Sequence, residues 1–363
     1  MLLPIRVLPI RVVAPAGLAL AAVLTLTACG GGGSTGSAAP AGSRSAAPDA
    51  AVAAGTLTVY SGRSEELVGP LFAQFTEQTG IEVATRYGDT AELAAQLIEE
   101  GDATPAQVFF SQDAGALGAV SAAGLLAALP AGVADAVPAE YRAQDGTWTG
   151  VTGRARVIAY DGEQVTADEV PQSVFDLTDP RWRGQVAIAP TNASFQSFVT
   201  AMRRSQGDER TRAWLEGLVA NDVQRFEKNG LILDAVDAGQ VKLGLVNHYY
   251  WYEKAAEVGA DAMRAQIAFT APRDPGSLVN VAGAGVLKPA AEDQNAAAFL
   301  AFLLDPRTQQ WFVENTFEYP LAPDVAIADG LPPLSSLSGP DVPLADLADL
   351  PGTLTMLTEV GLL

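Results

Sequence analysis

Two adjacent phenols, Tyr249 and Tyr250, stand in the run NHYYWYEK, directly after an apolar stretch that ends at Asn247. Phenol oxygens that lose their protons become hard anionic donors, suited to a small, highly charged cation. Their ordinary pKa near 10 ties such binding to proton release, so acid should strip the metal. In a continuing strand neighbouring side chains point to opposite faces, so both rings reach one ligand only where the backbone turns. Asn247 is a good helix N-cap residue, and a helix starting at His248 supplies that turn. The junction also sets free backbone N–H groups and the positive end of a helix beside the phenols, which favours phenolate and bound anions. By composition alone, core or interface packing is the commoner role of Tyr and Trp beside a strand end. His248 is the one histidine of 363 residues. As the chain neighbour of the tyrosine pair it reads as a hydrogen-bonded structural group.

The remaining composition removes much other chemistry. One His and one Cys leave neither a poly-histidine zinc site, nor a histidine relay, nor an internal disulfide. Lys plus Arg number 22 against 42 Asp plus Glu, a net charge of −20. That balance excludes nucleic acid as an expected partner, because phosphate contacts need clustered cations. With 48% apolar and 18% charged residues the chain can fill real cores, and its length suits two domains. Gly32-x-Ser34-x-Gly36 matches a nucleophile elbow and Gly31-x-Gly33-x-x-Gly36 a dinucleotide fingerprint. Neither has the strand before and helix after that the chemistry requires, and no enzyme is expected.

The elements that must position the phenols alternate along the chain. TLTVYSG is a strand; residues 64–78 follow with Leu67, Leu71, Phe72 and Phe75 on one helical face; IEVATRYG is the next strand. Asp89-x-x-Glu92 resembles a capping box, and AQVFFS precedes another Ala- and Leu-rich helix. A second set begins near Val151 with VTGRARVIAY and GQVAIAP, a helix from Ala193, another around Trp214 and Leu218, and the strand VKLGLVN. SLVNVAGAGVLK and two helices, at residues 293–304 and 306–314, complete the pattern. Such alternation implies α/β lobes with largely parallel sheets under helices, ligands binding beyond the strand ends. Crossings near Gly153 and Asn280 make a hinge between two lobes.

The start of the chain reads as an address. Arg6 and Arg11 precede an apolar stretch at residues 12–28, interrupted by Pro15 and Gly17 and shorter than the roughly 20 apolar residues of a membrane span. Leu26-Thr27-Ala28-Cys29 resembles the lipobox of bacterial lipoproteins, with Cys29 the lipidated residue. Residues 1–28 are thus expected as a signal peptide, and the Gly-, Ser-, Ala- and Pro-rich residues 29–55 as a flexible tether. The expected location is the outer face of the cytoplasmic membrane, held there by lipid. An exported, tethered chain of two hinged lobes has the architecture of a solute-binding protein that serves an importer.

The segment NHYYWY resembles the tyrosine pair of the periplasmic ferric-iron-binding proteins of the bacterial transferrin type. The likeness continues through VYSGRSE, EEGDATPAQVFFSQDAGALG, TGRARVIAYD, DLTDPRWRG, FEKNGLILDAV, DPGSLVNVAGAGVLK and EYPLAPDV. The resemblance implies a two-lobed periplasmic binding protein fold of type II, each lobe a mixed, mostly parallel sheet flanked by helices, with ligand in the hinge cleft. The expected lobes are residues 56–153 plus 281–327 and residues 154–280 plus 328–363. It implies a monomer that captures Fe(3+) with carbonate or a similar synergistic anion and delivers it to an ABC permease in the cytoplasmic membrane. The same fold binding an organic anion, a polyamine or a preformed iron chelate is the alternative.

By resemblance, Tyr249 and Tyr250 bind the metal, Asn229 and Asn247 hydrogen-bond around the anion, and Asn192, Ala193 and Ser194 match the family's anion-cradling turn. Two departures stand out. Ser64 occupies a position where many relatives carry a His ligand, and Gln112 one where they carry Glu. An octahedral ion therefore needs exogenous donors beside two phenolates. Arg63 is expected to hold a chelating anion by a two-pronged bond. Arg154 and Arg156 are weaker candidates for that charge compensation, with inter-lobe salt bridges as their other reading, and Asp113, next to Gln112, is expected to point elsewhere.

Overall fold

The computed structural model describes residues 55–363. The expected signal peptide, Cys29 and all but the last residue of the tether lie outside the described residues.

The first six elements alternate as β1 (Thr56–Ser61), α1 (Glu65–Thr79), β2 (Glu82–Tyr87), α2 (Thr90–Glu100), β3 (Val108–Ser111) and α3 (Ala114–Ala122). Strand β1 runs parallel to β2 and β3, the pairing that connection through a helix allows. Of the expected apolar face of α1, Leu71, Phe72 and Phe75 are buried, while Leu67 is half-buried and Val68 takes the fourth buried place; Phe75 lies edge-on to Phe299 at 5.1 Å. Each such side chain contributes roughly 2 kcal/mol of burial. Asp89 caps α2 through the Ala91 and Glu92 N–H groups, one half of the expected capping box; the return bond to the Glu92 side chain is not made.

After a short helix, α4 (Ala131–Ala134), comes the thirteen-residue β4 (Thr149–Asp161). Then follow β5 (Val186–Ile188), α5 (Ala193–Gln206), α6 (Asp208–Ala220), β6 (Gln224–Arg225), α7 (Asn229–Asp237), β7 (Leu243–Asn247), α8 (Tyr249–Val258) and β8 (Ala265–Ala268). The chain continues through β9 (Val279–Val286), α9 (Gln294–Leu304), α10 (Pro306–Thr316), β10 (Tyr319–Pro320) and α11 (Leu350–Glu359).

Strand order is β2-β1-β3-β9-β4-β7-β5-β6, with β8 and β10 also pairing β4. The wound strands pair in parallel, and every pairing of β4 or β9 is antiparallel. Strand β4 is shared: residues 149–155 lie against β9, and from Arg156 onward it lies against β7, then β8. A bulge between Gly150 and Thr152 bends it, and a Cβ at Gly150 would sit 2.6 Å from the Tyr141 carbonyl oxygen. The sheet is thus α/β and mixed because the chain crosses out and back through it.

The end of the chain, expected with the second lobe, touches both halves. The turn Leu344–Ala348 sits on α3 so closely that a Cβ at Gly115 would be 2.8 Å from the Leu347 carbonyl oxygen. Helix α11 lies on α5, where Thr353 and Thr200 share a 2.7 Å hydrogen bond and Arg203 pairs with Asp349 at 3.1 Å.

Candidate functional site

Strand β7 ends at Asn247, opposite Arg156 in the ladder, and α8 starts two residues later with Tyr249 and Tyr250. Their rings stack at 4.3 Å with 27° between planes. Tyr249 is buried and Tyr250 half-buried, and both line a cleft of about 850 Å³ together with Arg63, Ser64, Gln112 and Asn192. Burial pushes the Tyr249 phenol well above its usual pKa, Tyr250 adds to this, and Arg63 and Arg154 oppose it. The neutral phenol therefore needs a strong positive charge to give up its proton.

Asn247 is not the cap of α8. That place belongs to His248, in right-handed helical conformation and without a side-chain cap bond. The Asn247 carboxamide is held from the side instead, its Oδ1 accepting from Arg156 Nη1 at 3.4 Å. The same guanidinium donates to Ser194 Oγ at 3.2 Å. Asn192 is a true cap: its Oδ1 accepts from the Ser194 N–H at 3.1 Å and from Ser194 Oγ at 2.6 Å, with Ala193 the first residue of α5. Asn229, at the start of α7, donates through Nδ2 to Asn192 Oδ1 and Ser194 Oγ, both at 3.2 Å. Asn192, Ser194, Asn229, Asn247 and Arg156 thus form one network beside the phenols. Within it Asn229 Oδ1, Asn247 Nδ2 and Arg156 Nε are buried without a protein partner.

Across the cleft the Arg63 charge is internal, while Glu65, Glu66 and Asp89 line the opening as exposed carboxylates. The expected two-pronged grip of Arg63 is closed on Glu318, both bonds at 2.8 Å, in a fully buried pair. Burial disfavours both charges, but the pairing outweighs it, raising the guanidinium pKa and lowering the carboxyl pKa. Thr152 and Thr316 complete the carboxylate's bonds at 3.1 and 3.2 Å. Ser64 is exposed ahead of α1 and makes no cap bond; Gln112 is half-buried, its backbone N–H on Thr90 Oγ1. Asp113 turns inward, where Oδ1 caps α3 through the Ala116 N–H and accepts from Ser197 Oγ at 2.8 Å. Burial raises its pKa, and its Oδ2 has no partner.

Arg154 is the anomaly. Its side chain is 1% exposed, and none of its three guanidinium nitrogens has a hydrogen-bond partner. Neither Arg154 nor Arg156 forms a salt bridge among the described residues. A buried guanidinium this under-satisfied marks where an anion or water belongs. Among the described residues no three His, Cys, Asp or Glu side chains converge on a metal position. Glu318 was not singled out by sequence, since its partner is 255 residues away and no local pattern links them.

The model of the bacterial extracellular solute-binding protein family matches residues 103–341. The chain is also 34% identical over 308 residues to the Fe(3+)-binding periplasmic protein of Serratia marcescens, covering 85% of this chain and 90% of that one. This chain belongs to that solute-binding family. The major ferric iron-binding protein of Neisseria meningitidis serogroup B is 32% identical over 311 residues, 84% of this chain and 93% of that one. Among solved structures, iron-bound HitA from Pseudomonas aeruginosa superposes with a TM-score of 0.80 at 33% identity, covering 84% of this chain and 99% of its own. The Trichodesmium protein IdiA (FutA), in complex with iron and citrate, gives 0.73 at 28% identity, covering 85% and 100%. The fold is therefore the two-lobed one of periplasmic iron-binding proteins, and the family is one of extracytoplasmic binding proteins.

Proposed function

We propose that this solute-binding protein captures ferric iron with a synergistic anion in its cleft and delivers it to an ABC permease. The observation that carries this reading is the stacked phenol pair of Tyr249 and Tyr250 at a helix start opening on the cleft. Ferric iron is hard and trivalent, and phenolate is a strongly donating oxygen ligand. Two phenolates fill two of about six positions, and carbonate or a similar anion fills others. The start of α5, Asn229, Asn247 and Arg156 would hold that anion beside the metal. Arg154, buried and without partners, supplies positive charge behind the phenolates. The lobes would comprise residues 56–153 plus 281–327 and residues 154–280 plus 328–363. Cys29 would carry the lipid that keeps a monomeric protein near its permease.

The partnerless donors of Arg154, Arg156 and Asn247 also favour a second reading, an organic anion or preformed iron chelate as cargo. Calorimetry separates the two. Tight binding of ferric iron with carbonate, and none of sulfate, phosphonates or polyamines alone, is expected; tight binding of a metal-free anion would favour the second.

A further inference from the structure

Nothing in its own side chains caps α8, yet the two phenols at its start must be held to a fraction of an ångström for one ion to fit both. The residue before them is His248, fully buried, with both ring nitrogens engaged. Nδ1 accepts from the Ala155 N–H at 3.1 Å. Nε2 lies 2.9 Å from the Phe317 carbonyl oxygen. Since a carbonyl only accepts, Nε2 carries the proton. The His248 backbone N–H returns a bond to the Ala155 carbonyl at 3.0 Å, so one histidine holds both polar groups of residue 155.

Both partners matter to the cleft. Ala155 is the last residue of β4 paired with β9, and Arg156 is the first paired with β7, so His248 grips the point where β4 changes partner. Phe317 has a left-handed φ of 53°, a conformation that costs an aromatic residue about 1 kcal/mol and that its neighbours must hold in place. The next residue, Glu318, closes on Arg63 in the opposite wall. The imidazole is also edge-on to Tyr249, centroids 6.0 Å apart. One side chain therefore joins the start of the phenol-bearing helix, the crossing strand and the segment that anchors the far wall.

We propose that His248 is a positioning residue that fixes the orientation of Tyr249 and Tyr250 relative to the opposite wall, so that lobe placement is transmitted to the metal ligands. This rests on the ferric reading above. Residues that orient metal ligands from behind commonly change affinity by about 10- to 100-fold when altered. Asn Oδ1 occupies the place of Nδ1 and Gln Nε2 that of Nε2, so His248→Asn keeps the bond to Ala155 and His248→Gln keeps the bond to Phe317. Each should unfold cooperatively, show a displaced ferric charge-transfer band and surrender iron to a competing chelator about tenfold faster. A folded His248→Asn variant with the parent's band and release rate would overturn the proposal. If neither variant folds, nitrogen NMR of the unaltered protein decides, since the sequence holds one histidine. An Nε2–H tautomer whose signals move on loading with gallium supports the role, and an Nδ1–H tautomer or unmoved signals refute it. Failure of the unaltered protein to develop any band with ferric salt would sink the ferric reading itself, and this inference with it.

Discussion

The two walls of the cleft are built on different principles. The wall with Tyr249 and Tyr250 is made of helix starts: α5, α7 and α8 all begin there, and Asn192, Ser194, Asn229 and Asn247 knit them together. The wall with Arg63, Ser64 and Gln112 has spent its buried cation internally, on Glu318, and carries its open charges, Glu65, Glu66 and Asp89, as exposed carboxylates. Both phenols thus belong to one wall, and the buried Arg63–Glu318 pair to the other.

The largest effect that tests this contrast is on stability. Arg63→Ala strands Glu318 as a buried charge and should cost about 3–5 kcal/mol in chemical denaturation. If Arg63 served mainly to hold an exogenous anion, the loss would appear in anion affinity with stability preserved.

The next concerns acid and the metal-free protein. Burial lowers the His248 pKa from an ordinary 6.5 to about 4. The unfolded chain therefore takes up this proton first as pH falls. The contribution of neutral His248 is complete above about pH 6.5 and is lost on the way down through pH 4, about 3 kcal/mol in all. Denaturation series from pH 7 to 4 should show that slope, and His248→Asn should flatten it.

Much of this was legible beforehand. The alternation of apolar strands with 3.6-period helices located the elements, because TLTVYSG, AQVFFS and VKLGLVN are short β-rich runs and residues 64–78 repeat an apolar face. The tyrosine pair was visible because two phenols adjoin a strand end. The long-range facts were not. Arg63 meets Glu318, and the turn Leu344–Ala348 meets α3, only after the chain has folded back across the sheet. The reading of Asn247 as the helix cap failed because the strand continues through it and His248 takes the cap position.

Two smaller effects sharpen the comparison. Gln112→Glu adds a carboxylate at the half-buried position of that wall and should strengthen ferric binding about tenfold in competition against a chelator, a gain absent if that wall stays clear of the metal. Asn192→Ala removes the cap of α5 and should cost about 1 kcal/mol in thermal unfolding, while also weakening synergy with the anion.

The most direct measurement is an absorption titration with ferric salt in bicarbonate buffer, comparing the unaltered protein with the Tyr249→Phe plus Tyr250→Phe double variant. A visible phenolate-to-iron band in the first and none in the second is the result expected here. A colourless parent, or a double variant that keeps the band, would contradict the assignment of these two phenols to the metal.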